Sequence, residues 1–548
     1  MSFDILLDRL IQNTSHVSLV LFLPELTLCA TIVALLLVRL FNLDRIIRPV
    51  GVSLVGGLIA LAIAGKEFYD LADGAQSATP IFTGLLAYDQ FTVFFRLFLI
   101  TFVILVTALT ALSGIPDLED GPDFYTLLFG ATIGMLLMAS TNNLLVLFLG
   151  IEMASVPSYA MVGFLKGRRK ASEASLKFVV YGAGAAGVLL YGVSLLSGLL
   201  GTADFAEMAS RIGQVVGTAG MGDPTVRTIL LGILMVLVGL AFKLSIVPFH
   251  FWCPDAFEGA AAEVAGYLSV ASKAAAFALL IRFCRTIVGD HVGALANLNY
   301  ALGIGLGLVA ALTATFGNLA AYSQTNVKRL LAYSTIAHAG YMLMAVAAMM
   351  VILNGPHVPN VDVPVNVARA IEALLYYLCV YLFMNLGAFA VVALVRNEIF
   401  SEEIEDYNGL AQQAPRYCLC MAVCLISLIG IPPFGGFFAK WVVFSSLLQA
   451  GYVNRIMWVV LVIGGVNTVF GLFYYVRVLK AMYLAPRPET ARRAEDALPA
   501  GAYAIIIALP VLLTGIGVTP VWRLVGSAAG AIFQSPHMAS VAQLPHGM

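Results

Sequence analysis

Four ionisable side chains stand where an apolar setting should penalise them. Glu152 lies within LFLGIEMASVPSYAM, Lys243 within LVGLAFKLSIVPF, Lys273 within GYLSVASKAAAFALL and Lys440 just after GIPPFGGFFA. A charge at the centre of a membrane-spanning segment costs on the order of 2.5–3.5 kcal/mol on insertion scales, so each one demands a reason. A carboxylate and an amine on different helices can make a contact that breaks and reforms, and Glu152 and Lys243 supply such a pair. Lys273 has no carboxylate within a helical turn and must exchange protons with water or another relay. The competing reading of any one lysine is a structural ion pair or a side chain that snorkels to the interface, and Lys440 is the most open to it. Three amines and one carboxylate with no substrate-sized polar pocket around them point to the smallest cargo, a proton. Moving one charge through about 200 mV takes roughly 4.6 kcal/mol. Opening and closing a Glu–Lys contact in a dry environment can supply that much.

His250, directly after Pro248-Phe249, and His338, within LLAYSTIAHAGYML, could pass protons, because an unperturbed imidazole titrates near neutrality. Either could instead donate a hydrogen bond to a carbonyl freed by a helix break. Glu25, Asp89, Arg96, Glu372 and Arg477 fall near the ends of apolar runs and read as interfacial anchors. Tyr125, Tyr181, Tyr376 and Tyr377 read as interfacial belt residues. Gly182, Gly184 and Gly187 in YGAGAAG follow no strand and have apolar flanks, so close helix packing is expected there rather than a phosphate loop. The cysteines, Cys29, Cys253, Cys284, Cys379, Cys418, Cys420 and Cys424, read as small buried hydrophobes. The last three have neither CxxC spacing nor interleaved histidine, so no metal site is expected.

The elements that must hold these groups follow from composition. The chain has 548 residues, 60% hydrophobic and 11% charged, with a net charge of -1, and its mean hydropathy is +0.93. Soluble chains carry roughly 25% charged residues, so this one belongs in a bilayer. The absence of a basic excess excludes nucleic acid as a partner class. Segments of about 20 apolar residues divide the chain into about fourteen spans. The fifth falls near 143–164, the seventh near 226–249, the eighth near 260–283, the tenth near 330–353 and the twelfth near 417–448. The connections are too short for a folded extramembrane domain of the usual minimum near 50 residues. The first 16 residues lack the basic start of a signal peptide, so the first span is expected to be its own insertion signal. Lys and Arg are more frequent in the loops after odd-numbered spans, most of all at Lys166, Arg168, Arg169 and Lys170. Both termini are therefore expected on the non-cytoplasmic side.

Prolines interrupt two spans in the middle, Pro248 in the seventh and Pro432-Pro433 in the twelfth, each with one lysine nearby. Leu144-Leu145 precedes Glu152 as Leu330-Leu331 precedes His338. Both correspondences have an offset of five spans, and an odd number of spans reverses direction. The expected fold is an all-α polytopic membrane protein with about 14 transmembrane helices, built on two inverted five-helix repeats, each with a broken helix. The expected units are residues 1–122 for spans 1–3, 123–285 for spans 4–8, 286–485 for spans 9–13, and 486–548 for span 14 and the tail.

Three segments together resemble a known family: NNLLVLFLGIEMASVPSYAMVGF; FKLSIVPFHFWCPDAFEGA through ASKAAAFALLIR; and TNVKRLLAYSTIAHAGYM with GIPPFGGFFAKW. They resemble the antiporter-like membrane subunits of proton-pumping NADH:quinone oxidoreductase, respiratory complex I. The IAHAGY wording is closest to subunit N, a lysine at 440 is unlike M, and no long lateral helix of the L type follows the fourteenth span. The resemblance implies that Glu152 pairs with Lys243, that Lys273 links two half-channels, and that Lys440 stands at the far end of the proton route. His338 takes the tenth-helix histidine position. It also implies that the chain binds no cofactor. NADH, flavin, iron–sulfur clusters and quinone would belong to partner subunits in the bacterial inner membrane, and the immediate partners would be neighbouring membrane subunits and lipids. Where relatives usually show Gly-Ala-Pro after the PD element, this chain has Gly259-Ala260-Ala261 with Glu263 close by, which leaves the shape of that loop open. The alternative is a subunit of a multi-protein sodium/proton exchanger, which shares the fold and most of these lysines.

Overall fold

The computed structural model describes residues 11–532 apart from 45, 117–119, 166, 221, 289–293, 360, 490, 491, 493 and 496. Lys166 and both termini, which entered the orientation argument, lie outside the described residues. Among these, thirteen helices are long and apolar enough to cross a membrane, or fourteen if the bent pair Ile404–Gln412 and Pro415–Ile429 is counted as one. The first six spans are Leu23–Leu40, Pro49–Ala72, Gln90–Ser113, Gly121–Ser140, Leu144–Val162 and Arg169–Leu200. The seventh to eleventh are Pro224–Leu244, Ala262–Arg285, Ala296–Ala321, Val327–Asn354 and Val363–Ile399. Ile456–Tyr483 and Leu498–Ile516 are the thirteenth and fourteenth. Two further helices outside the thirteen, Pro415–Ile429 and Gly435–Val453, flank a break and take the twelfth place together. A 15-residue helix rises only about 22 Å, short of the roughly 30 Å hydrocarbon layer, so the first piece ends inside it.

Between the second and third spans the chain forms a two-stranded antiparallel sheet, Thr79–Ile81 with Leu86–Tyr88. Its position lets Asp89 close the strand and cap the third span, the carboxylate accepting from the Thr92 N–H at 2.8 Å. Asn143 and Asn326 do the same for the fifth and tenth spans, at 2.9 and 3.2 Å.

Both broken spans stop for identifiable reasons. The seventh ends at Leu244 because Ser245 turns into the left-handed region, φ 56°, and Pro248 has no N–H to offer a helix. A short helix, Trp252–Gly259, resumes beyond. The twelfth ends at Ile429 because Gly430 takes φ 91°, open chiefly to glycine. Pro432 and Pro433 then hold the chain out of helix until Gly435.

The eighth span is entirely enclosed by other helices, and the tenth and eleventh nearly so. The ninth and tenth spans approach closely enough that a Cβ on Gly317 would meet the Ala337 nitrogen at 2.6 Å, and one on Gly340 the Ala314 nitrogen at 2.6 Å. Small residues thus set the distance between helices, as usual in bilayers. The YGAGAAG expectation holds only for Gly182, where a Cβ would strike the Tyr159 hydroxyl; Gly184 and Gly187 face open space. Tyr125, Tyr376 and Tyr377 are buried, not belt residues, because the spans carrying them are covered by neighbours; Tyr181 does face outward.

Candidate functional site

Glu152 and Lys243 line one narrow cleft between the fifth, sixth and seventh spans, together with Ser155, Tyr159, Gly182 and Gly239. Its cavity volume is about 10 Å³, near the minimum that holds one water. Gly182 and Gly239 keep it open: a side chain at either would run into Tyr159 or Leu189. Lys243, on the last turn before the break, is 3% exposed, whereas Glu152 is half-buried. Each lies within the other's field, but no nitrogen–oxygen approach of 4.0 Å or less joins them among the described residues. The two side chains therefore share one narrow cleft without a direct contact.

Across the break, the Trp252 indole N–H donates to the Phe242 carbonyl at 3.0 Å, tying the two parts of the seventh span together. Cys253 lies within the field of Lys273. Lys273 is 1% exposed and donates not to a carboxylate but to the backbone carbonyl of Thr335 at 2.9 Å. A π-helical turn, Leu268–Ser272, directly precedes it, a local widening often found at functional positions.

The tenth span carries the sequence onward. Thr335, His338 and Tyr341 recur at three-residue intervals and so share one helical face. His338 is buried, with Nδ1 2.7 Å from the Tyr377 hydroxyl and Nε2 3.3 Å from the Tyr475 hydroxyl, which in turn meets Ser334. Lys440 lies over the Tyr341 ring, 4.7 Å from its centroid. Its ammonium donates to the carbonyls of Leu428 and Ile429 at 3.0 and 2.9 Å, two acceptors freed by the break in the twelfth span. Lys273 and Lys440 thus bracket a ladder of hydroxyls and one imidazole about 9 Å long by helical rise. Both amines are satisfied by carbonyl dipoles, which stabilise an ammonium without neutralising it.

His250 is placed apart. Its ring packs edge-on against Phe316 at 4.4 Å and against Phe251, and its Nδ1 has no hydrogen-bond partner.

Several buried charges escaped the reading of the sequence. Arg96, taken as an interfacial anchor, is 1% exposed and bridges two carboxylates, Glu25 and Glu67, at 2.8 Å each. Asp89 pairs with Arg282 of the eighth span at 2.7 Å and is buried too. The anchor reading fails for Glu25, Asp89 and Arg96 because the first four spans and the hairpin close over the helix ends. The flanks of Arg96, VFFRLFL, carried the signal: phenylalanines on both sides are no water interface. On the opposite face, Arg329 joins Asp255 and Glu258 at 2.6 and 2.8 Å, and Lys177 meets Asp255 at 2.9 Å. Burial alone would raise the Asp255 carboxyl, but Lys177 and Arg329 outweigh it and hold the group below its ordinary range. Deeper in, Lys328 meets Glu402 at 2.9 Å and Arg396 lies 3.6 Å from Glu263.

Comparison with known proteins matches residues 141–355 and 361–471 to the family described as NADH:quinone oxidoreductase/Mrp antiporter, TM. NADH-quinone oxidoreductase subunit N of an Anaeromyxobacter species is 38% identical over 507 residues, covering 88% of this chain and 92% of its own. Subunit N 2 of Sorangium cellulosum is 36% identical over 532 residues, covering 96% and 99%. A chain of respiratory complex I from Thermus thermophilus superposes with a TM-score of 0.71 at 29% identity, covering 92% of this chain and 99% of that one. A chain of the Mrp complex from a Dietzia species superposes at 0.76 with 18% identity, a likeness of fold alone.

Proposed function

The chain belongs to the NADH:quinone oxidoreductase/Mrp antiporter transmembrane family, in its subunit N branch, and from that premise we propose how its buried groups carry protons. Glu152 and Lys243 form the gating pair, Lys273 the central station, His338 with Tyr377 and Tyr475 the bridge, and Lys440 the terminal amine. The observation that carries this reading is the single polar face of the tenth span, with Lys273 at one end and Lys440 at the other. An ammonium without a counter-charge in a dry setting releases its proton more readily than one facing a carboxylate. Separating Glu152 from Lys243 therefore biases the next amine in line, and the bias travels as each proton moves.

In this reading the chain has no redox centre of its own. NADH oxidation and quinone reduction take place in partner subunits, with flavin and iron–sulfur clusters there, and the energy reaches this chain through neighbouring membrane subunits in a bacterial inner membrane. Residues 123–285 and 286–485 act as two inverted units whose breaks at Pro248 and Pro432-Pro433 face opposite sides, and both termini lie on the non-cytoplasmic side. His250 serves the packing of the first break. The sodium/proton exchanger alternative is not favoured, because subunit N relatives share over a third of their residues with this chain and the Mrp chain shares 18%. The deciding experiment purifies the tagged chain from its membrane. Co-purification with NADH-oxidising activity, and proton uptake by vesicles that stops in Lys273→Ala, supports the reading; co-purification with small exchanger subunits alone overturns it.

A further inference from the structure

Glu263 follows the Gly259-Ala260-Ala261 loop by two residues, and among the described residues it is a buried carboxylate with both oxygens unpartnered. It stands on the first turn of the eighth span, fully buried. Its nearest counter-charge, Arg396 of the eleventh span, is 3.6 Å away, beyond hydrogen-bond length, and neither carboxylate oxygen has a hydrogen-bond partner. Arg396 Nη1 is also without one. The same seam continues inward. Asn385 donates to the Ser269 hydroxyl at 2.5 Å while its Oδ1 stays unpartnered, and the buried Tyr381 hydroxyl is unpartnered too. The order 263, 269, 273 along one helix and 396, 385, 381 along the other is that of two antiparallel helices sharing a polar seam, and it ends at Lys273. Midway, a Cβ on Gly266 would meet the Phe389 Cβ at 3.1 Å, and the Phe389 ring pairs with Phe257.

We propose that Glu263 is a proton-loading carboxylate at the mouth of a hydrated column between the eighth and eleventh spans that feeds Lys273. This rests on the reading of Lys273 as a proton station. Polar atoms buried without a protein partner are rare, and ordered water normally satisfies them. Five such atoms line one seam about 15 Å long by helical rise from Glu263 to Lys273. The mouth lies on the face that carries Arg168, Arg169 and Lys170.

The surroundings of Glu263 decide between a proton and a metal cation. Arg396 comes from the eleventh span, Lys328 from the tenth, and Glu402 from the segment after the eleventh, where it pairs with Lys328. Tyr407 adds a buried hydroxyl. The helix Trp252–Gly259 brings Asp255 and Glu258, both engaged by Arg329. The fifth span brings Tyr159 and Glu152, which face the Lys243 cleft. The third span, packed through Phe102 on Tyr267, carries no titratable side chain from Phe102 to Ser113. Glu263 and Glu402 are balanced by Arg396 and Lys328, so a resident cation would add net charge in a buried site, at high cost. A proton passing through adds charge only transiently. In the step, a hydronium at the mouth gives its proton to a Glu263 oxygen and is left as water. That O–H bond then breaks as the proton moves through water ordered by Ser269 and Asn385 to the lone pair of a neutral Lys273 amine, and Glu263 returns to the carboxylate.

The test uses the assembled complex in sealed vesicles, driven by NADH and quinone. Glu263→Gln should slow proton uptake by about tenfold or more, and Glu263→Asp should recover most of it with a displaced pH profile. If Lys273→Ala abolishes uptake while Glu263→Gln keeps the wild-type rate and pH profile, this proposal fails and the relay stands. If Lys273→Ala itself pumps normally, the relay reading fails. Should Glu263→Gln not assemble, Asn385→Leu and Ser269→Ala, which keep every charge, take its place: slowed uptake supports the column, and wild-type uptake in both overturns it.

Discussion

The ammonium of Lys440 is held by the carbonyl of Ile429, 2.9 Å away and on the other side of the helix break, with Leu428 as second acceptor. The break and the amine are therefore one device: the interruption creates acceptors that the lysine needs and that no helix would leave free.

Removing the amine strands those acceptors. Lys440→Met should lower the stability of the assembled subunit by about 1–3 kcal/mol, since two buried carbonyls lose their donor, and should stop proton delivery. Gly430→Ala should destabilise by a similar amount, about 1–3 kcal/mol, because φ 91° strains any side chain there. Thermal melting of the complex together with proton uptake checks both. Normal uptake by an assembled Lys440→Met subunit would take Lys440 off the route.

The cleft shared by Glu152 and Lys243 makes exchange informative. Lys243→Ala should abolish or greatly slow coupled transport while the complex still assembles. The double exchange Glu152→Lys with Lys243→Glu should retain more activity than either single change, since the cleft keeps both charges. An inactive exchange would mean that orientation, and not the pair, matters.

Arg96 between Glu25 and Glu67 is a matter of stability. Arg96→Met would leave two carboxylates in oil, and breaking a buried pair typically costs about 3–5 kcal/mol. The chain should fall sharply in membrane abundance. Glu67→Gln, which keeps the Glu25 contact, should be milder. Wild-type abundance of Arg96→Met, measured by quantitative blotting, would remove this structural role.

The Asp255–Arg329 contact sets a pH limit. The Asp255 carboxyl is held below its ordinary range against burial by Lys177 and Arg329. A depressed carboxyl contributes stability above its unfolded value of about 3.9, and that stability fades as pH falls through the folded value. Docking of Trp252–Gly259 against the tenth span should persist from neutrality to about pH 4 and loosen below it. Hydrogen exchange over 252–259 should show this, and Asp255→Asn should remove the pH dependence.

Some of this was legible in the residues. Glu152, Lys243, Lys273 and His338 sit among apolar neighbours, so their oddity is local, and the prolines announce both breaks. What stayed hidden depends on neighbours distant in sequence. Nothing near His338 names Tyr377 or Tyr475 as its partners. Arg96 lies near a helix end in the sequence, but enclosure by three other spans, not distance from that end, decides its distance from water. That Glu152 and Lys243 line one narrow cleft without a direct contact depends on how the fifth, sixth and seventh spans pack, which no local run of residues states.

One consequence follows from the position of the eighth span, ringed on all sides by protein. It never meets an acyl chain, so nothing obliges it to be oily, and Glu263, Lys273 and Arg282 can share a single helix. A reporter at Ala276 on that helix should read the same in any detergent or lipid mixture that keeps the bundle intact, and change only when the interior itself does.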